Sequence, residues 1–190
     1  MSEQYKIVQM GGLNMKSIGG IYDNVPSYLK RILVADLDGC IRNGEHRINL
    51  LPTKEYIDAT GDKPNLAFTE FNEQSHLDTP VQSIIDMVNL MWENGYYIIV
   101  LTSCTHSDHT LDTLLAQLNN WEVGYDTIVM RGKDNHQWPV DFKRQFIYDS
   151  GLDKFEGAKY ALDDCPNNCD MFRENGFTAL QVENWSRFNK

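Results

Sequence analysis

The chain of 190 residues carries a formal net charge of −10, and 42% of its residues are hydrophobic and 11% aromatic. This length and composition suit one globular domain with a substantial core, and the negative charge argues against broad electrostatic capture of a nucleic-acid backbone. The sequence has no apolar run of bilayer-spanning length and no signal-peptide pattern, so we expect a cytoplasmic protein with no membrane partner and with its four cysteines reduced.

Residues 1–30 form an N-terminal extension to which the sequence assigns no role. A short strand is predicted over residues 5–10. The glycine-rich loop that follows lacks the Walker pattern of a phosphate-binding loop, because Met15 and not glycine precedes Lys16. The loop therefore gives no support for a kinase activity, and we place the main domain over residues 31–190.

The first strand of that domain ends in two aspartates. An apolar run, 32–35, is typical of a strand buried on both faces of a parallel sheet, and Asp36-Leu37-Asp38-Gly39 follows it. The two carboxylates leave the strand on the same side, at the edge where open α/β sheets bind ligands. They repel each other unless a cation or a shared proton compensates, so the pair indicates a metal or a division of roles. The alternative is an ordinary Asx-type turn, which Asp-Gly favours.

Residues 41–79 are predicted to form a small insert after this strand. The insert opens with a polar stretch that contains Arg42 and Arg47, and it continues without clear periodicity. A short helical turn is predicted around Phe68 and Phe71. We expect a partial lid over the carboxyl edge of the sheet, since long connections in compact domains are often functional. The two phenylalanines either contact substrate or anchor the insert to the core.

Helical and strand-like apolar patterns alternate regularly after the insert. The predicted helices cover residues 81–91, 108–119, 140–148 and 167–175, and the predicted strands cover residues 96–101, 125–130, 158–162 and 178–182. Thr79 and Pro80 are predicted to supply the N-cap and the first-turn proline of the first of these helices. The alternation predicts the α/β class, as a three-layer sandwich with a parallel Rossmann-like sheet and a small insert after the first catalytic strand.

Polar residues recur where the later strands end. Thr102 and Ser103 follow the second strand, Asp163 and Asp164 follow the fourth, and Lys143 lies near the start of the helix between them. The carboxyl ends of parallel strands share one edge of the sheet, so these side chains should meet the two aspartates of the first strand. A chance turn explains one such cluster, but three clusters and a lysine favour a single active site.

The order of these motifs resembles that of the haloacid dehalogenase-like (HAD) phosphatase superfamily: D-x-D-G, then a hydrophobic run with Thr/Ser, a helix-borne lysine, and a hydrophobic run with Asp-Asp. The resemblance covers roughly residues 31–183. The chain looks most similar to the phosphatase domain of bacteriophage polynucleotide kinase-phosphatases. That domain also has a small insert, an acidic doublet and a closing segment similar to FRENGFTALQV.

The resemblance implies a Mg²⁺-dependent phosphomonoester hydrolase. Asp36 would be the nucleophile that forms an aspartyl-phosphate, and Asp38 would be the general acid and base. The Mg²⁺ ion would take the Asp36 carboxylate, the backbone carbonyl of Asp38 and the Asp164 carboxylate. Asp163 would orient Lys143 or a metal-bound water.

The same resemblance gives roles to the remaining candidates. Thr102 would donate a hydrogen bond to a phosphoryl oxygen, Lys143 would offset its charge, and Ser103 and Arg47 would contact substrate. Each role has a structural alternative: a strand-end turn for Thr102, a solvated helix face for Lys143, an ordinary surface position for Arg47, and a helix cap for the acidic doublet.

One departure from the family pattern bears on the substrate. Related phosphatases commonly follow the second-motif Thr/Ser with Gly-Arg, and that arginine helps to bind the substrate phosphate, whereas Ser103-Cys104 stands here. We expect the substrate to be a phosphorylated nucleotide or a nucleic-acid 3′-phosphate end. A 5′-nucleotidase or other small-metabolite phosphatase is the alternative that the acidic surface and the missing arginine favour. A non-catalytic interaction module on the same scaffold is a further alternative, against which the costly acidic cluster argues.

Three of the four cysteines, Cys40, Cys104 and Cys165, stand one residue beyond a motif. We expect them to fill small half-buried slots. The alternative is that they lie near enough to the metal to form thiolates sensitive to soft ions and alkylation. Three histidines in loops near the same edge are expected to be surface residues: His106, His109 and His136.

Overall fold

The computed structural model describes residues 5–9, 30–60 and 64–182. The strands are β1 (Tyr5–Gln9), β2 (Arg31–Ala35), β3 (Arg42–Asn43), β4 (Thr79–Pro80), β5 (Tyr97–Thr105), β6 (Thr127–Arg131), β7 (Ala158–Asp163) and β8 (Thr178–Gln181). The α-helices are α1 (Lys54–Thr60), α2 (Pro64–Ala67), α3 (Thr69–Glu73), α4 (Gln82–Glu93), α5 (Asp108–Asn120), α6 (Pro139–Asp149) and α7 (Pro166–Glu174). Short 3₁₀ helices cover Glu45–Leu50, Gln74–Leu77 and Leu152–Lys154. The glycine-rich loop over residues 11–20 lies outside the described residues.

The main sheet has six strands in the order β1-β6-β5-β2-β7-β8. Five of them are parallel, and β1 pairs antiparallel with β6 at one edge. The central strand β2 is apolar because both of its faces are covered, and residues 32–35 are at most 1% exposed. The predicted parallel α/β sheet is confirmed.

Two apolar clusters fill the spaces on either side of this sheet. Leu33 and Ala35 pack with residues of α4 and α5, whereas Ile32 and Val34 pack with residues of α6 and α7. This alternation follows from the two-residue side-chain period of a strand. The domain is therefore a three-layer sandwich, as expected.

Part of the N-terminal extension belongs to the sheet. The ring of Tyr5 in β1 packs against Phe142 and Phe146 of α6, at centroid distances of 5.6 and 5.8 Å. Its hydroxyl donates to Asp149 Oδ2 at 3.0 Å. This strand covers the edge of β6, which would otherwise present unpaired backbone groups.

The insert is closed at its base by a two-stranded ribbon, in which Arg42 faces Pro80 and Asn43 faces Thr79. The prediction that Thr79 and Pro80 cap a helix is therefore wrong, and α4 begins at Gln82 after an N-cap at Val81. A proline fits this short outer strand because it has no N–H to donate.

The second catalytic strand is longer than predicted. The sequence pattern places its end near residue 101, whereas β5 continues through polar residues to Thr105. Its pairing with β6 shifts register there, since Thr102 faces Met130 and Thr105 faces Arg131. Such a bulge redirects side chains at the edge of a sheet.

No helix among the described residues is long and apolar enough to cross a bilayer.

Candidate active site

Acidic side chains from two neighbouring strands meet at the carboxyl edge of the sheet. Asp36 follows β2, and its backbone N–H donates to the carbonyl of Leu162 in β7 at 2.9 Å. Asp163 ends β7. Asp36 and Asp163 are 7% and 0% exposed, so neither carboxylate is well solvated. Buried carboxylates in such proximity require a compensating positive charge.

Lys143 supplies part of that charge. Its Nζ donates to Asp36 Oδ1 at 2.6 Å and to Asp163 Oδ2 at 2.7 Å, and the residue is 1% exposed. Burial alone would lower the pKa of Lys143, but the two carboxylates outweigh burial and raise it, so the ammonium stays charged. The alternative of a solvated helix face for Lys143 is wrong.

A third carboxylate completes an acidic group that could hold a metal ion. Oxygens of Asp36, Asp163 and Asp164 all lie within 4.8 Å of one another. Burial raises the pKa of Asp36 well above its usual range. Burial and the charge of Asp163 raise the pKa of Asp164 to about 7. When all three carboxylates are ionised, they and the one ammonium carry a net charge of −2, which is unfavourable without a cation, and these hard oxygen donors fit a divalent cation such as Mg²⁺.

Gly39 lets the third carboxylate approach. The residue has φ +78°, and a Cβ on it would lie 2.8 Å from Asp164 Oδ2. Any other residue type would clash with that carboxylate and strain the backbone. The glycine of the D-x-D-G pattern therefore serves packing as well as the turn.

The Asp163 carboxylate is fully engaged within the protein. While Oδ2 accepts from Lys143, Oδ1 accepts from the backbone N–H of Cys165 and from Asn168 Nδ2, both at 3.0 Å. Asp163 thus bonds residues at the start of α7 and orients the lysine, but it is not the helix cap of the alternative, because the N-cap is Cys165 and no side chain caps this helix.

Asp38 lies in a separate, positively charged environment. Its carboxylate accepts from Arg42 Nε at 3.0 Å, from Arg47 Nη2, and weakly from Thr102 Oγ1 at 3.5 Å. Burial would raise the pKa of Asp38, but the two guanidinium groups prevail and lower it to about 2. Asp38 is therefore ionised at neutral pH, whereas Asp36 sits where ionisation is disfavoured.

Arg47 reaches this carboxylate from the insert. The side chain is 1% exposed, so an ordinary surface position for Arg47 is wrong. Its Nε donates to Asp78 Oδ1 at 2.7 Å, its Nη1 donates to the carbonyl of Phe71 at 2.9 Å, and the ring of Phe71 lies 3.8 Å from its guanidinium carbon. Phe68 packs edge-on against that ring, with centroids 6.3 Å apart. The aromatic pair thus supports the arginine.

Sequence reasoning missed three members of this polar network: Arg42, Asp78 and Gln117. Arg42 lies 3.1 Å from Asp78 Oδ2 through its Nε, and its Nη1 donates to Gln117 Oε1 at 2.9 Å. Gln117 of α5 in turn donates to the carbonyl of Ser75 at 2.7 Å. The four-residue spacing between Asp38 and Arg42 was a local signal, but nothing near Asp78 or Gln117 indicated their partners.

The two residues of the second motif differ in their surroundings. Thr102 Oγ1 accepts from the backbone N–H of Cys104 at 3.0 Å and donates to Asp38, and the residue is fully buried. The hydroxyl of Ser103 is buried without a hydrogen-bond partner in the described part of the chain. Thr102 lies within β5, so it is not a strand-end turn residue.

The four cysteines lie in environments that disfavour thiolates. Burial raises the pKa of Cys40, and it raises the pKa of Cys104 to about 11. Burial also raises the pKa of Cys165 and Cys169. Three histidines were expected at the surface. His109 is exposed, whereas His106 and His136 are half-buried.

The sequence matches the family model of the polynucleotide kinase PNKP phosphatase domain over residues 65–186. That span is more than half of the chain. The chain belongs to the PNKP phosphatase-domain family. It is a HAD-type phosphatase domain, and the matched span includes Thr102, Lys143 and the acidic doublet, while Asp36 and Asp38 precede it.

Solved structures share the fold of this PNKP-type domain at low sequence identity. A chain of the Pnkp1/Rnl/Hen1 RNA repair complex is 19% identical with a TM-score of 0.59, and the match covers 90% of this chain and 47% of that one. The present chain thus spans about half the length of that relative. Protein tyrosine kinase A of Mycobacterium tuberculosis is 13% identical with a TM-score of 0.57, over 86% and 89% of the two chains.

A HAD-like phosphatase from Mesorhizobium loti is 11% identical with a TM-score of 0.53, over 92% and 77% of the two chains. No protein of curated function matches the sequence. These structural similarities establish the fold and leave the substrate to the chemistry of the site.

Proposed function

We propose that this domain is a Mg²⁺-dependent phosphomonoesterase that removes a 3′-phosphate from a nucleic-acid end by way of an aspartyl-phosphate. The observation that carries the proposal is the position of Lys143, whose ammonium holds Asp36 and Asp163 together at 2.6 and 2.7 Å. This contact unites a helix and two strands around the carboxylate of Asp36.

Asp36 is the nucleophile in this proposal. Lys143 fixes its Oδ1, which orients the carboxylate and leaves Oδ2 to attack phosphorus. The new Asp36–phosphorus bond forms as the bond from phosphorus to the ester oxygen breaks. Asp36, Asp164 and the backbone carbonyl of Asp38 would hold Mg²⁺, with Asp163 behind them to orient Lys143. The bound ion would supply charge stabilisation for the phosphoryl oxygens.

Asp38 is the general acid in the first half-reaction and the general base in the second. Its carboxylate faces Thr102 and the two guanidinium groups and not the acidic group around Lys143, so the two aspartates have distinct environments. The negative charge of a bound phosphate opposes that of Arg47 and raises the pKa of Asp38, so that Asp38 takes up a proton from solvent on substrate binding and passes it to the leaving oxygen as the ester bond breaks. Asp38 then takes a proton from the water that attacks phosphorus and frees Asp36.

The nucleic-acid substrate is supported by family membership and by the basic side chains of the insert. Arg47 stands where the resemblance places a substrate-contacting arginine, and Ser103 has a hydroxyl that lacks a partner among the described residues. The similar chain from an RNA repair complex points in the same direction. Thr102 would donate to a phosphoryl oxygen, once released from Asp38.

A small-molecule substrate is the second candidate, because the chain carries a net charge of −10 and has Cys104 in place of the family arginine. Phosphate release with Mg²⁺ from oligonucleotides carrying a 3′- or a 5′-phosphate, from mononucleotides and from p-nitrophenyl phosphate separates the two. We expect the 3′-phosphorylated oligonucleotide to have the highest kcat/KM. A higher kcat/KM for 5′-mononucleotides would overturn the polynucleotide assignment in favour of a nucleotidase.

A further inference from the structure

Arg131, the last residue of β6, is a buried cation that has no carboxylate partner among the residues that the structure describes. The residue is 2% exposed, and its Nε has no hydrogen-bond partner in the described part of the chain. Its guanidinium carbon lies 5.4 Å from the centroid of the Phe142 ring, and Tyr5 and Thr105 flank Arg131 in the sheet. Across residues 30–60 and 64–182, no carboxylate lies within salt-bridge distance of it.

The other two fully buried arginines show what such a residue normally requires. Arg42 and Arg47 are each 1% exposed, and both bind the carboxylates of Asp38 and Asp78. Burying a guanidinium without a partner is strongly unfavourable, because the charge loses its hydration and gains nothing in return. Burial lowers the pKa of Arg131 only to about 10, so the group still carries its charge at neutral pH. A cost of this kind is typical of a site that awaits an anion.

Two hydroxyls at the end of β5 are also without partners among the described residues. Ser103 Oγ and Thr105 Oγ1 are buried and unpaired among the described residues, and Thr105 faces Arg131 directly in the β5–β6 ladder. The register shift between Thr102 and Thr105 redirects this end of the strand. A guanidinium and two hydroxyls are all hydrogen-bond donors, which is the composition of a phosphate site.

The donors lie at the active-site edge but not at the nucleophile. Arg131 and Asp36 both stand at carboxyl ends of parallel strands, and β5 separates β6 from β2. Neighbouring strands are about 4.8 Å apart, and Arg131 lies two residues further along its strand than the level of Asp36, so the two backbone positions are about 12 Å from each other. A nucleotide with a phosphate at each end can bridge such a distance.

We propose that Arg131, with the hydroxyls of Ser103 and Thr105, binds a second phosphate of the substrate. This phosphate is the one on the 5′ side of the nucleotide whose 3′-phosphate is removed. The inference rests on the proposed 3′-phosphatase function and names the feature by which the site distinguishes a polynucleotide end from a lone 3′-nucleotide. Arg131 would also provide a cation that binds substrate phosphate in a domain that has Cys104 where related phosphatases have the second-motif arginine.

The test compares two substrates that differ only in that phosphate, a nucleoside 3′-monophosphate and the matching nucleoside 3′,5′-bisphosphate. The readout is the ratio of kcat/KM for the bisphosphate to kcat/KM for the monophosphate. This ratio does not depend on the fraction of folded enzyme, so a partly unfolded variant is still informative. We expect wild-type enzyme to favour the bisphosphate about tenfold to hundredfold, the range of a charge-assisted hydrogen bond.

Arg131→Gln should bring this ratio close to one, and Arg131→Lys should retain part of it. Arg173→Gln, at an exposed arginine of α7 that pairs with Asp170, is the matched control and should keep the wild-type ratio. A ratio unchanged in Arg131→Gln would overturn the inference while leaving the proposed function intact. Wild-type enzyme that releases phosphate from neither nucleotide, yet hydrolyses p-nitrophenyl phosphate, would overturn the proposed function and this inference with it.

Discussion

Arg47 and Asp78 join the two ends of the insert. Their side chains share two hydrogen bonds, one of them 2.7 Å from Nε to Oδ1, and both side chains are fully buried. The same guanidinium also reaches Asp38 in the active site. Arg47 thus bridges two carboxylates and attaches the insert to the active site. The position of the insert and the charge state of Asp38 therefore depend on the same contacts.

Asp78→Ala should destabilise the domain and weaken catalysis together. The variant leaves two buried guanidinium groups to share one carboxylate, and breaking a buried ion pair by removing one partner costs about 3–5 kcal/mol. Urea unfolding measures this loss, and phosphate release measures the effect on turnover. Asp86→Asn, at an exposed aspartate of α4 that accepts from Gln82, is the control. A loss below about 1 kcal/mol in the free energy of unfolding of Asp78→Ala would show that the network contributes little to stability.

Asp36→Asn should abolish turnover and leave the fold intact. An amide cannot form the acyl-phosphate, while the substitution removes a carboxylate whose ionisation the buried, acidic surroundings disfavour. Lys143 keeps its contact with Asp163 in this variant. We therefore expect the thermal midpoint without metal to be unchanged or higher, with phosphate release at background. Substantial residual activity would contradict covalent catalysis by Asp36.

The affinity for Mg²⁺ should rise with pH through about 7. Burial and the charge of Asp163 raise the pKa of Asp164 to about 7, so a proton competes with the metal below that pH. Isothermal titration calorimetry at pH 6 and pH 8 should give tighter binding at pH 8. Asp164→Asn should bind weakly at both values. Equal wild-type affinities at the two pH values would show that Asp164 is not a ligand that must lose a proton.

The same raised pKa has a consequence for the metal-free protein. Between the pKa of an unfolded aspartate, about 3.9, and about 7, the folded state binds more protons at Asp164 than the unfolded state does. Stability then falls as pH rises through this window, because stability rises with pH only where the unfolded state binds more protons. Urea unfolding in EDTA at pH 5 and pH 7 should show this loss, and saturating Mg²⁺ should reverse it.

Alkylating reagents should not inactivate the enzyme at neutral pH. Burial raises the pKa of Cys104 to about 11 and also raises that of Cys40, so both remain protonated and inaccessible. Cys165 is half-buried and should be modified first. Mass spectrometry alongside activity measurements checks this order. Inactivation that Cys104→Ser or Cys40→Ser prevents would instead place a reactive thiol beside the metal.

The parallel sheet and most of the acidic site were predictable because their signals are local. A four-residue apolar run followed by D-x-D-G, and a second run followed by Asp163 and Asp164, each encode burial and a strand end within a few residues. Lys143 was predictable from its place in the motif order. Burial then decided its environment, and no local pattern shows which helix face a lysine occupies.

The parts that could not be predicted depend on long-range pairing. Asp78 resembles any polar residue before Thr-Pro, and only folding brings it to Arg47, 31 residues earlier. The pairing of Arg42 with Pro80 likewise makes a strand of what local chemistry presents as a helix start. Arg131 stands at the end of a predicted strand like many surface arginines, and only the three-dimensional structure shows that it is buried with no carboxylate partner among the described residues.

The central position of β2 has a consequence for how the chain is synthesised. The strand pairs with β5 and β7, and the contacts of Lys143 with Asp36 and Asp163 span 107 and 20 residues. A nascent chain that has not yet extended past β7 therefore presents the apolar strand β2 with one open edge and no complete acidic group. Such edges recruit other strands, so this domain should depend on chaperone protection until β7 emerges from the ribosome.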